Sequence, residues 1–388
     1  MPPRLPLGAF LANAKSALAA PQRATPLTFV VGNESADLDS LCSAVVYAYL
    51  RTLTPPHTLH IPISNLPRHD LKLRPEMTAA LAQAHLKPSD LLTLDDLPAD
   101  LAPKDTRWVL VDHNALTGAL ASRYAARVVG CVDHHADEDA VPRDTGSEPR
   151  LIEKCGSAAS LVVDFCRPAW EALEPTEADA HLARLSLAAI LIDTTNLASK
   201  DKTTPKDVSA VSFLEQLAGR PFDRAAFFDD ISAVKEDISS LGFRDIFRKD
   251  YKQWEDEGRV MGVSSVVQNL QYLLEKAGGD DGVLLGAFRE WCEEKELDIG
   301  VIMTTSHPGG QFQRELLLWA FNKDAVASCK RFYDGYKEEL GLGEWEGGRF
   351  DEVKEGQWRM AWTQRNLSQS RKQVAPMLRA AVKGTPRL

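Results

Sequence analysis

Apolar and polar positions occur in blocks along the N-terminal half of the chain, and each block has the length of a strand or a helix. The run LTFVV, residues 27–31, precedes the polar segment GNESADLDS and then a helical pattern. Two further apolar runs, RWVLVDHN (107–114) and ARVVGCVDHH (126–135), end abruptly in Asp and His. Strands followed by turns and helices predict a parallel α/β sheet. Since ligands of such sheets bind at the carboxyl ends of strands, we expect the functional site there.

The chain of 388 residues is long enough for two domains. Helical patterns that begin near Ser157 and at residue 182 complete the first domain. Further along, the apolar segments RVMGVSSVV, LDIGVIMTT and RELLLWAF alternate with helical patterns, which predicts a second, smaller α/β sheet. We therefore predict a first domain at 1–225, a helical linker at 226–239 and a second domain at 240–388.

Acidic and imidazole side chains stand at the ends of the apolar runs, where one cleft could collect them. They are Asp37, Asp39, Asp112, the triplet Asp133, His134 and His135, and Asp193. Carboxylates with an imidazole suit Mn²⁺, Mg²⁺ or Co²⁺. Singly, each has a structural alternative, since Asp37 and Asp39 could cap a helix and a strand-end His usually makes a surface hydrogen bond. Asp193 is different, because it lies in an apolar helix where an unpaired carboxylate is costly.

The composition of the chain limits the kinds of binding partner and the cellular compartments that we expect. A formal net charge of −10 argues against broad binding to nucleic acid, although metal ions in a carboxylate cluster could still attract phosphate. Six scattered cysteines without a CxxC pair indicate neither a zinc knuckle nor a disulfide framework, and fit a reducing compartment. The N-terminal apolar run is too short for a secretory signal or a membrane span. We expect a cytoplasmic monomer with no membrane partner, and a mitochondrial matrix protein is the alternative.

Taken together, the segments GNESADLDS, VDHN and VDHH resemble the DHH phosphoesterase superfamily in order and position. This superfamily includes family II inorganic pyrophosphatases, exopolyphosphatases and prune-like proteins, and SRKQ at 370–373 is similar to the signature of its companion DHHA2 domain. The resemblance implies an active site in the cleft between the two domains. It also implies two divalent metal ions, bridged by Asp112, and catalytic roles for Asp112, His134 and His135. The implied metal ligands are Asp37, Asp39, Asp112, His134 and Asp193.

The resemblance also implies residues that bind the substrate. His135 would face the phosphate, and Lys252, Arg371 and Lys372 would contact it from the second domain. Ser370 precedes a probable helix start, where backbone N–H groups can bind an anion. The alternative for this basic cluster is a solvated helix face. For His113, lining the phosphate path and satisfying a strand-end hydrogen bond both stay open.

Asn33 separates the members of this superfamily. Family II pyrophosphatases have a histidine ligand at this position, whereas exopolyphosphatases and prune-like proteins are similar to this chain in having asparagine. Asparagine is a weaker ligand, or its side chain hydrogen-bonds the nucleophile or the substrate. The intact Asp133-His134-His135 triplet and the fungal form VDHN favour an exopolyphosphatase that removes terminal phosphates from inorganic polyphosphate with a metal-activated water. The alternatives are a prune-like short-chain polyphosphatase, a pyrophosphatase, or a catalytically weak phosphate-binding regulatory protein.

Overall fold

The computed structural model describes residues 4–384. Its backbone divides into two compact units, Met1–Lys235 and Glu236–Leu388. The stretch 226–239, predicted as the linker, consists mostly of the last helix of the first unit, which runs from Arg224 to Glu236. No helix among residues 4–384 has both the length and the apolar character needed to cross a bilayer.

The first unit is built on a five-stranded sheet in which all neighbouring strands are parallel. The strands are β1 (Leu27–Val31), β2 (His60–Ile63), β3 (Thr106–Val111), β4 (Val128–Asp133) and β5 (Arg150–Ile152). Every residue of β1 is buried, as expected for a parallel sheet that is covered on both faces. The predicted parallel sheet is therefore confirmed, and the runs that begin at Leu27, Arg107 and Ala126 supply three of its strands.

Helices of the first unit pack with this sheet around one apolar core. They are α1 (Leu7–Ala19), α2 (Leu38–Leu53), α3 (Pro75–Gln83), α4 (Gly118–Tyr124), α5 (Ala158–Glu171), α6 (Glu177–Thr194), α7 (Pro205–Leu217) and α8 (Arg224–Glu236). Short 3-10 helices lie at Arg68–Leu73, Pro88–Asp90, Leu94–Asp96, Pro103–Asp105 and Ala125–Arg127. The strand order β2-β1-β3-β4-β5 reverses direction between β1 and β3. In open α/β sheets, this reversal is where ligands bind.

The second unit contains a mixed sheet in the order β10-β12-β9-β8-β7-β6, with β11 paired to β12. Its strands are β6 (Tyr251–Asp256), β7 (Arg259–Val266), β8 (Ile299–Thr304), β9 (Arg314–Ala320), β10 (Leu342–Glu344), β11 (Glu352–Lys354) and β12 (Gln357–Gln364). Only β7 and β8 pair in parallel within the described sheet. The helices are α9 (Phe243–Lys249), α10 (Leu270–Lys276), α11 (Asp281–Glu294), α12 (Lys323–Leu340) and α13 (Arg371–Lys383), with 3-10 turns at Pro308–Gly310 and Glu346–Gly348. The second α/β sheet is thus also confirmed.

Gly32, between β1 and the polar turn, lets α2 approach the strand closely. A Cβ atom at Gly32 would lie 2.4 Å from Cβ of Ser40 and 2.9 Å from its Cα. Real Cβ atoms do not approach other atoms this closely, so a side chain here would displace the first turn of α2.

We expect Gly32→Ala to lower the free energy of unfolding by about 1–3 kcal/mol, because the added methyl group overpacks this contact. Gly286→Ala is the control, since a Cβ there meets no atom within 4 Å and Ala favours a helix interior by about 0.5–1 kcal/mol. Urea unfolding curves of both variants measure the difference. Equal stability of the two variants would contradict the packing argument.

Candidate metal centre

The turns after β1 and β3 meet at the reversal of the strand order. Asn33 follows β1, and its Nδ2 atom donates to Oδ2 of Asp112 at 2.7 Å and to the carbonyl oxygen of Asp112 at 3.1 Å. The Oδ1 atom of Asn33 accepts from the backbone N–H of Ser35 at 2.8 Å, which fixes the orientation of the amide. Asn33 therefore orients Asp112 through a hydrogen bond.

Asp112 is buried and adopts the left-handed conformation, with φ of 60°. Residues other than glycine adopt this conformation infrequently, and such residues are enriched at functional sites. Its Oδ2 atom accepts a second hydrogen bond from Oγ of Ser40 at 2.7 Å. Its Oδ1 atom lies 3.2 Å from Nε2 of His134 and 3.8 Å from Nδ1 of His135. One carboxylate oxygen is thus held by neutral donors, and the other faces the two imidazoles.

The two histidines after β4 are oriented by their Nδ1 atoms. Nδ1 of His134 donates to the carbonyl oxygen of Cys155 at 3.0 Å, so Nε2 is the atom directed toward Asp112 and Asp39. Nδ1 of His135 lies 2.8 Å from Oδ1 of Asp133, and Asp133 also accepts from the backbone N–H groups of both histidines. Partners of this kind orient imidazoles that bind metals. The ligand atoms of Asp112, His134 and His135 all lie within 4.8 Å of one another.

Asp39 lies in the first turn of α2 and faces the first turn of α5. Its Oδ2 accepts from the N–H of Ala158 at 2.7 Å and its Oδ1 from the N–H of Ala159 at 2.8 Å. The N-terminus of a helix favours negative charge. Since Oδ2 of Asp39 is also 3.9 Å from Nε2 of His134, α5 holds this carboxylate beside the imidazole.

The two remaining predicted ligands, Asp37 and Asp193, lie close enough to this group to affect its charge. Asp37 is the N-cap of α2 and accepts from the N–H of Ser40 at 3.1 Å, so the capping alternative also holds. Asp193 lies at the last turn of α6, and its Oδ2 is buried without a hydrogen-bond partner among residues 4–384. An unpaired buried carboxylate oxygen is costly, and a bound cation removes that cost.

Burial and mutual repulsion weaken the acidity of this group. Burial, together with the charge of Asp112, raises the pKa of Asp39 to about 7. Burial and Asp37 raise the pKa of Asp112 to about 7, and burial with Asp39 raises the pKa of Asp193 to about 8. Burial alone would lower the pKa of His134, yet the hydrogen bond with Asp112 and the charges of the acids raise it to about 10. The positive charge near Asp39, Asp112 and Asp193 is therefore too small to keep all three acids ionised.

This donor set fits divalent metal ions. The carboxylates of Asp39, Asp112 and Asp193 carry unbalanced negative charge, and His134 presents Nε2 to them, which is the arrangement that hard cations with some affinity for nitrogen require. Cys42 lies one turn after Asp39 in α2, but burial, with the charges of Asp39 and Asp37, raises the pKa of its thiol well above the usual value. The ligand atoms that the described structure gathers within 4.8 Å of one another come from Asp112, His134 and His135, and are thus oxygen and nitrogen.

The predicted substrate residues of the second unit lie near the start of α13. Ser370 caps this helix, and its Oγ accepts from the N–H of Lys372 at 3.3 Å. Arg371 forms an ion pair with Asp250, in which Nη2 of the guanidinium lies 2.8 Å from Oδ1 of the carboxylate. Lys252 lies two residues after Asp250, on β6, and both Lys252 and Lys372 are exposed. The ion pair between Arg371 and Asp250 thus connects the start of α13 to the residue that precedes β6, the strand that carries Lys252.

His113 follows Asp112 and makes the hydrogen bond that its structural alternative predicts. Its Nδ1 donates to the carbonyl oxygen of Val111 at 2.9 Å. Its Nε2 is buried with no hydrogen-bond partner in the described part of the chain, and burial lowers the pKa of the ring. His113 is thus neutral, with a buried acceptor nitrogen.

Several residues that orient the site are not among those predicted. They are Ser40, Asn114, Cys155 and the first two residues of α5. Asn114 donates to Oδ2 of Asp133 at 2.5 Å and to the carbonyl oxygen of Ala136 at 2.9 Å. Ser40 and Asn114 lie within the motifs GNESADLDS and VDHN, so position in a motif could have indicated them. Cys155 and α5 act through backbone groups, which residue types do not reveal.

Comparison with known proteins places the chain in a family. Residues 28–190 match the model of the DHH family N-terminal domain, and residues 229–381 match the DHHA2 domain. A Schizosaccharomyces pombe protein named "Putative exopolyphosphatase" is 32% identical over 96% of this chain and 94% of its own length. The chain belongs to the DHH family. The resemblance of the three motifs to this family is thereby confirmed.

Other relatives of this DHH protein differ in length. Human "Exopolyphosphatase PRUNE1" is 31% identical over 74% of the chain, which spans only 61% of that protein. A "Manganese-dependent inorganic pyrophosphatase" from Methanothrix thermoacetophila is 26% identical over 71% of the chain and 80% of its own length. A crystal structure from Methanococcus jannaschii, titled a putative family II inorganic pyrophosphatase, covers 92% of this chain and 100% of its own with a TM-score of 0.55 and 20% identity. This last similarity shows the shared fold.

We expect the metal-free protein to lose stability as the pH rises from about 4 to 8, because the pKa values of Asp39, Asp112 and Asp193 are raised in the folded state. Buried acids with raised pKa values stabilise the fold while they are protonated, and repel one another once ionised. Mn²⁺ replaces protons, so the rise in melting temperature that it causes should be larger at pH 8 than at pH 5.5.

Thermal unfolding with Mn²⁺ or with a chelator measures both effects. Asp193→Asn is the informative variant: it should raise the melting temperature of the metal-free protein at pH 8 and reduce the gain from Mn²⁺. A metal-free melting temperature that increases between pH 5.5 and 8 would contradict the electrostatic argument.

Proposed function

We propose that this DHH protein is an exopolyphosphatase, which hydrolyses the terminal phosphoanhydride bond of inorganic polyphosphate. The observation that supports this proposal most strongly is the group formed by Asp39, Asp112, His134 and Asp193, in which the carboxylates of Asp39 and Asp112 and one oxygen of Asp193 are buried. The names of the S. pombe and human relatives support polyphosphate as the substrate.

We propose Asp37, Asp39, Asp112, His134 and Asp193 as ligands of two divalent cations, with Asp112 shared between them. Its Oδ1 atom faces His134 whereas its Oδ2 atom accepts from Asn33 and Ser40, so two neutral donors fix the angle of the carboxylate. When bound, the cations supply the positive charge that activates a water molecule and neutralises phosphate oxygens. The name of the Methanothrix relative supports manganese as one such ion.

His135 is proposed to contact a phosphate oxygen of the substrate. Asp133 accepts from Nδ1 of His135, which leaves Nε2 as the second polar atom of a ring whose side chain is 34% exposed. Burial would raise the pKa of Asp133, but the hydrogen bonds from His135 and Asn114 lower it, so Asp133 is a carboxylate. A carboxylate behind Nδ1 keeps a proton there and fixes the direction of the ring.

Arg371, Lys372 and Lys252 are proposed to bind phosphate groups of the substrate, together with the helix N-terminus capped by Ser370. Guanidinium and ammonium groups donate charge-assisted hydrogen bonds to phosphate. Charge spreads over the equatorial oxygens as the terminal phosphoryl group is transferred to water, and cations there stabilise the transition state. The location of the active site in a cleft between the domains stays a prediction.

Asn33 supports polyphosphate hydrolysis over the pyrophosphatase alternative. Both polar groups of its side chain are engaged with Asp112 and Ser35, so it serves as a positioning group where the resemblance gives pyrophosphatases a histidine ligand. The complete set of acids argues against a regulatory protein that binds phosphate without turnover.

We expect release of phosphate from long-chain polyphosphate in the presence of Mn²⁺, slower cleavage of pyrophosphate, and no release with a chelator. Asp112→Asn should reduce turnover at least ~100-fold, since it weakens a shared ligand. Asp139→Asn, a change at an exposed acid with a φ of 57° that Asn tolerates, should retain turnover. Faster cleavage of pyrophosphate than of polyphosphate would instead assign the protein to the pyrophosphatase class.

Arg371→Ala should raise the KM for polyphosphate by ~10–100-fold, because hydrogen bonds to a charged group are lost. The affinity for Mn²⁺ should stay at the wild-type value. Arg349→Ala removes an exposed guanidinium paired with Asp281 and should leave the KM unchanged. An equal KM for Arg371→Ala and the wild type would exclude Arg371 from substrate binding.

A further inference from the structure

Asp207 is a fully buried acid in the first turn of α7 that belongs to none of the predicted site residues. It completes a capping box with Thr204, whose N–H and Oγ1 donate to its Oδ2 at 2.7 and 2.8 Å. Unlike a simple helix cap, Asp207 also accepts from a second segment, Cys155–Ser160. The donors of that segment are Sγ of Cys155 at 3.2 Å, the N–H groups of Gly156 at 3.0 Å and Ser157 at 3.3 Å, and Oγ of Ser160 at 2.6 Å.

The same segment contacts the metal centre with its other backbone groups. The carbonyl oxygen of Cys155 accepts from Nδ1 of His134 at 3.0 Å, and the N–H groups of Ala158 and Ala159 donate to the two oxygens of Asp39 at 2.7 and 2.8 Å. One short stretch of backbone therefore orients two of the proposed metal ligands. Its remaining donors, at Cys155, Gly156, Ser157 and Ser160, are hydrogen-bonded to Asp207.

We propose that Asp207 is a positioning residue of the metal centre, acting through the segment Cys155–Ser160 on His134 and Asp39. This inference rests on the proposed metal-binding role of these two residues, but not on the identity of the substrate. The carboxylate of Asp207 binds the N–H groups of Gly156 and Ser157. It thereby fixes the position of the carbonyl oxygen of Cys155, which accepts from Nδ1 of His134 and keeps a proton on that nitrogen. Asp207 also fixes the N–H groups of Ala158 and Ala159, which orient the two carboxylate oxygens of Asp39.

Gly156 shows how closely the segment approaches Asp207. A Cβ atom at Gly156 would lie 2.8 Å from Oδ2 of Asp207 and 2.7 Å from Cγ2 of Thr194. Thr194 directly follows Asp193 in α6, so the segment also packs against the helix that carries a third proposed ligand. The absence of a side chain at residue 156 is thus a condition for the contact between Asp207 and the segment.

Charge explains why an acid is suited to this role. Burial alone would raise the pKa of Asp207, but hydrogen bonds from Ser160 and Thr204 lower it. An ionised carboxylate forms stronger hydrogen bonds with N–H and O–H donors than a neutral amide does. An asparagine would also present an NH₂ group to donors, which leaves at least one of them unpaired in the interior.

Asp179 offers a matched control. It too completes a capping box, with Thr176 at the start of α6, and it is 6% exposed. It accepts from the N–H of Thr176 at 2.7 Å, from Nε1 of Trp170 at 2.6 Å and from Arg4. These partners belong to α5, α6 and the N-terminal segment, and none of them is a partner of His134 or Asp39 in the described structure. Asp179→Asn therefore reproduces the loss of a buried, capping carboxylate without the link to the metal centre.

The test measures the affinity for Mn²⁺ by calorimetry in the absence of polyphosphate, together with the melting temperature of the metal-free protein. Asp207→Asn and Asp179→Asn should both lower the melting temperature. Only Asp207→Asn should weaken Mn²⁺ binding, by ~10–100-fold, the range found when partners of metal ligands are removed. The visible absorption of bound Co²⁺ should also change only in Asp207→Asn, since the geometry of the ligands shifts.

Wild-type affinity for Mn²⁺ in Asp207→Asn, with a lowered melting temperature, would overturn the proposal and leave Asp207 as a helix cap. If Asp207→Asn does not fold, Ser160→Ala decides the question, because it removes one hydrogen bond to Asp207. It should weaken Mn²⁺ binding, whereas Ser186→Ala, at a buried hydroxyl without a partner in the described residues, should not. Wild-type Mn²⁺ affinity in Ser160→Ala would then refute the proposal. Since no step uses polyphosphate, an inactive wild-type protein that binds Mn²⁺ would overturn the proposed function and not this inference.

Discussion

The first unit buries carboxylates without enough positive charge around them to balance their own charge. The proposed metal centre depends on this imbalance. Asp39 and Asp112 are 3% and 2% exposed, and Asp193 has a buried oxygen without a partner among residues 4–384. The groups that hold Asp39 and Asp112 are mostly neutral: the amide of Asn33, the hydroxyl of Ser40 and the N–H groups that open α5. Neutral donors fix the direction of a carboxylate without cancelling its charge. The negative charge therefore remains for a cation from solution.

Another buried acid of the same unit shows the opposite arrangement. Glu148 is held by the guanidinium of Arg51 and by Oη of Tyr47 and Nε2 of His60. Burial would raise its pKa, but hydrogen bonds from His60 and Tyr47, together with Arg51, lower it to about 2. A buried acid that has its own cation is an internal ion pair. The direction of the pKa shift thus distinguishes Glu148, whose charge is balanced by Arg51, from the acids of the metal centre, whose charge is not balanced.

The sequence allowed the centre of the first unit to be predicted better than its periphery. The strands β1, β3 and β4 are buried apolar runs that end in polar residues, so both the strands and the positions of Asn33, Asp112 and His134 follow from the pattern. The three-residue edge strand β5 has no such pattern, and neither does the half-exposed strand β6 of the second unit, because partner strands rather than a continuous apolar run define them. Asp207 illustrates the same limit at the site. Its spacing from Thr204 indicates only a capping box, whereas its partners at 155–160 are about fifty residues away in sequence and act mainly through the backbone.

The geometry of Asn33 connects the metal centre to the kind of substrate. Its amide is fixed at one end by the N–H of Ser35 and at the other by Asp112, so both of its polar atoms have partners at the position where the resemblance assigns a histidine ligand to pyrophosphatases. If five residues hold two cations and Asp112 contacts both, as proposed, about half of the coordination positions are filled by water and by the ligand, since divalent ions of this class take about six oxygen or nitrogen donors each. A chain of phosphates supplies several charged oxygens at once. If Asn33 orients Asp112 where the resemblance implies a histidine ligand in pyrophosphatases, the proposed centre depends more strongly on a polyanionic substrate for its remaining donors.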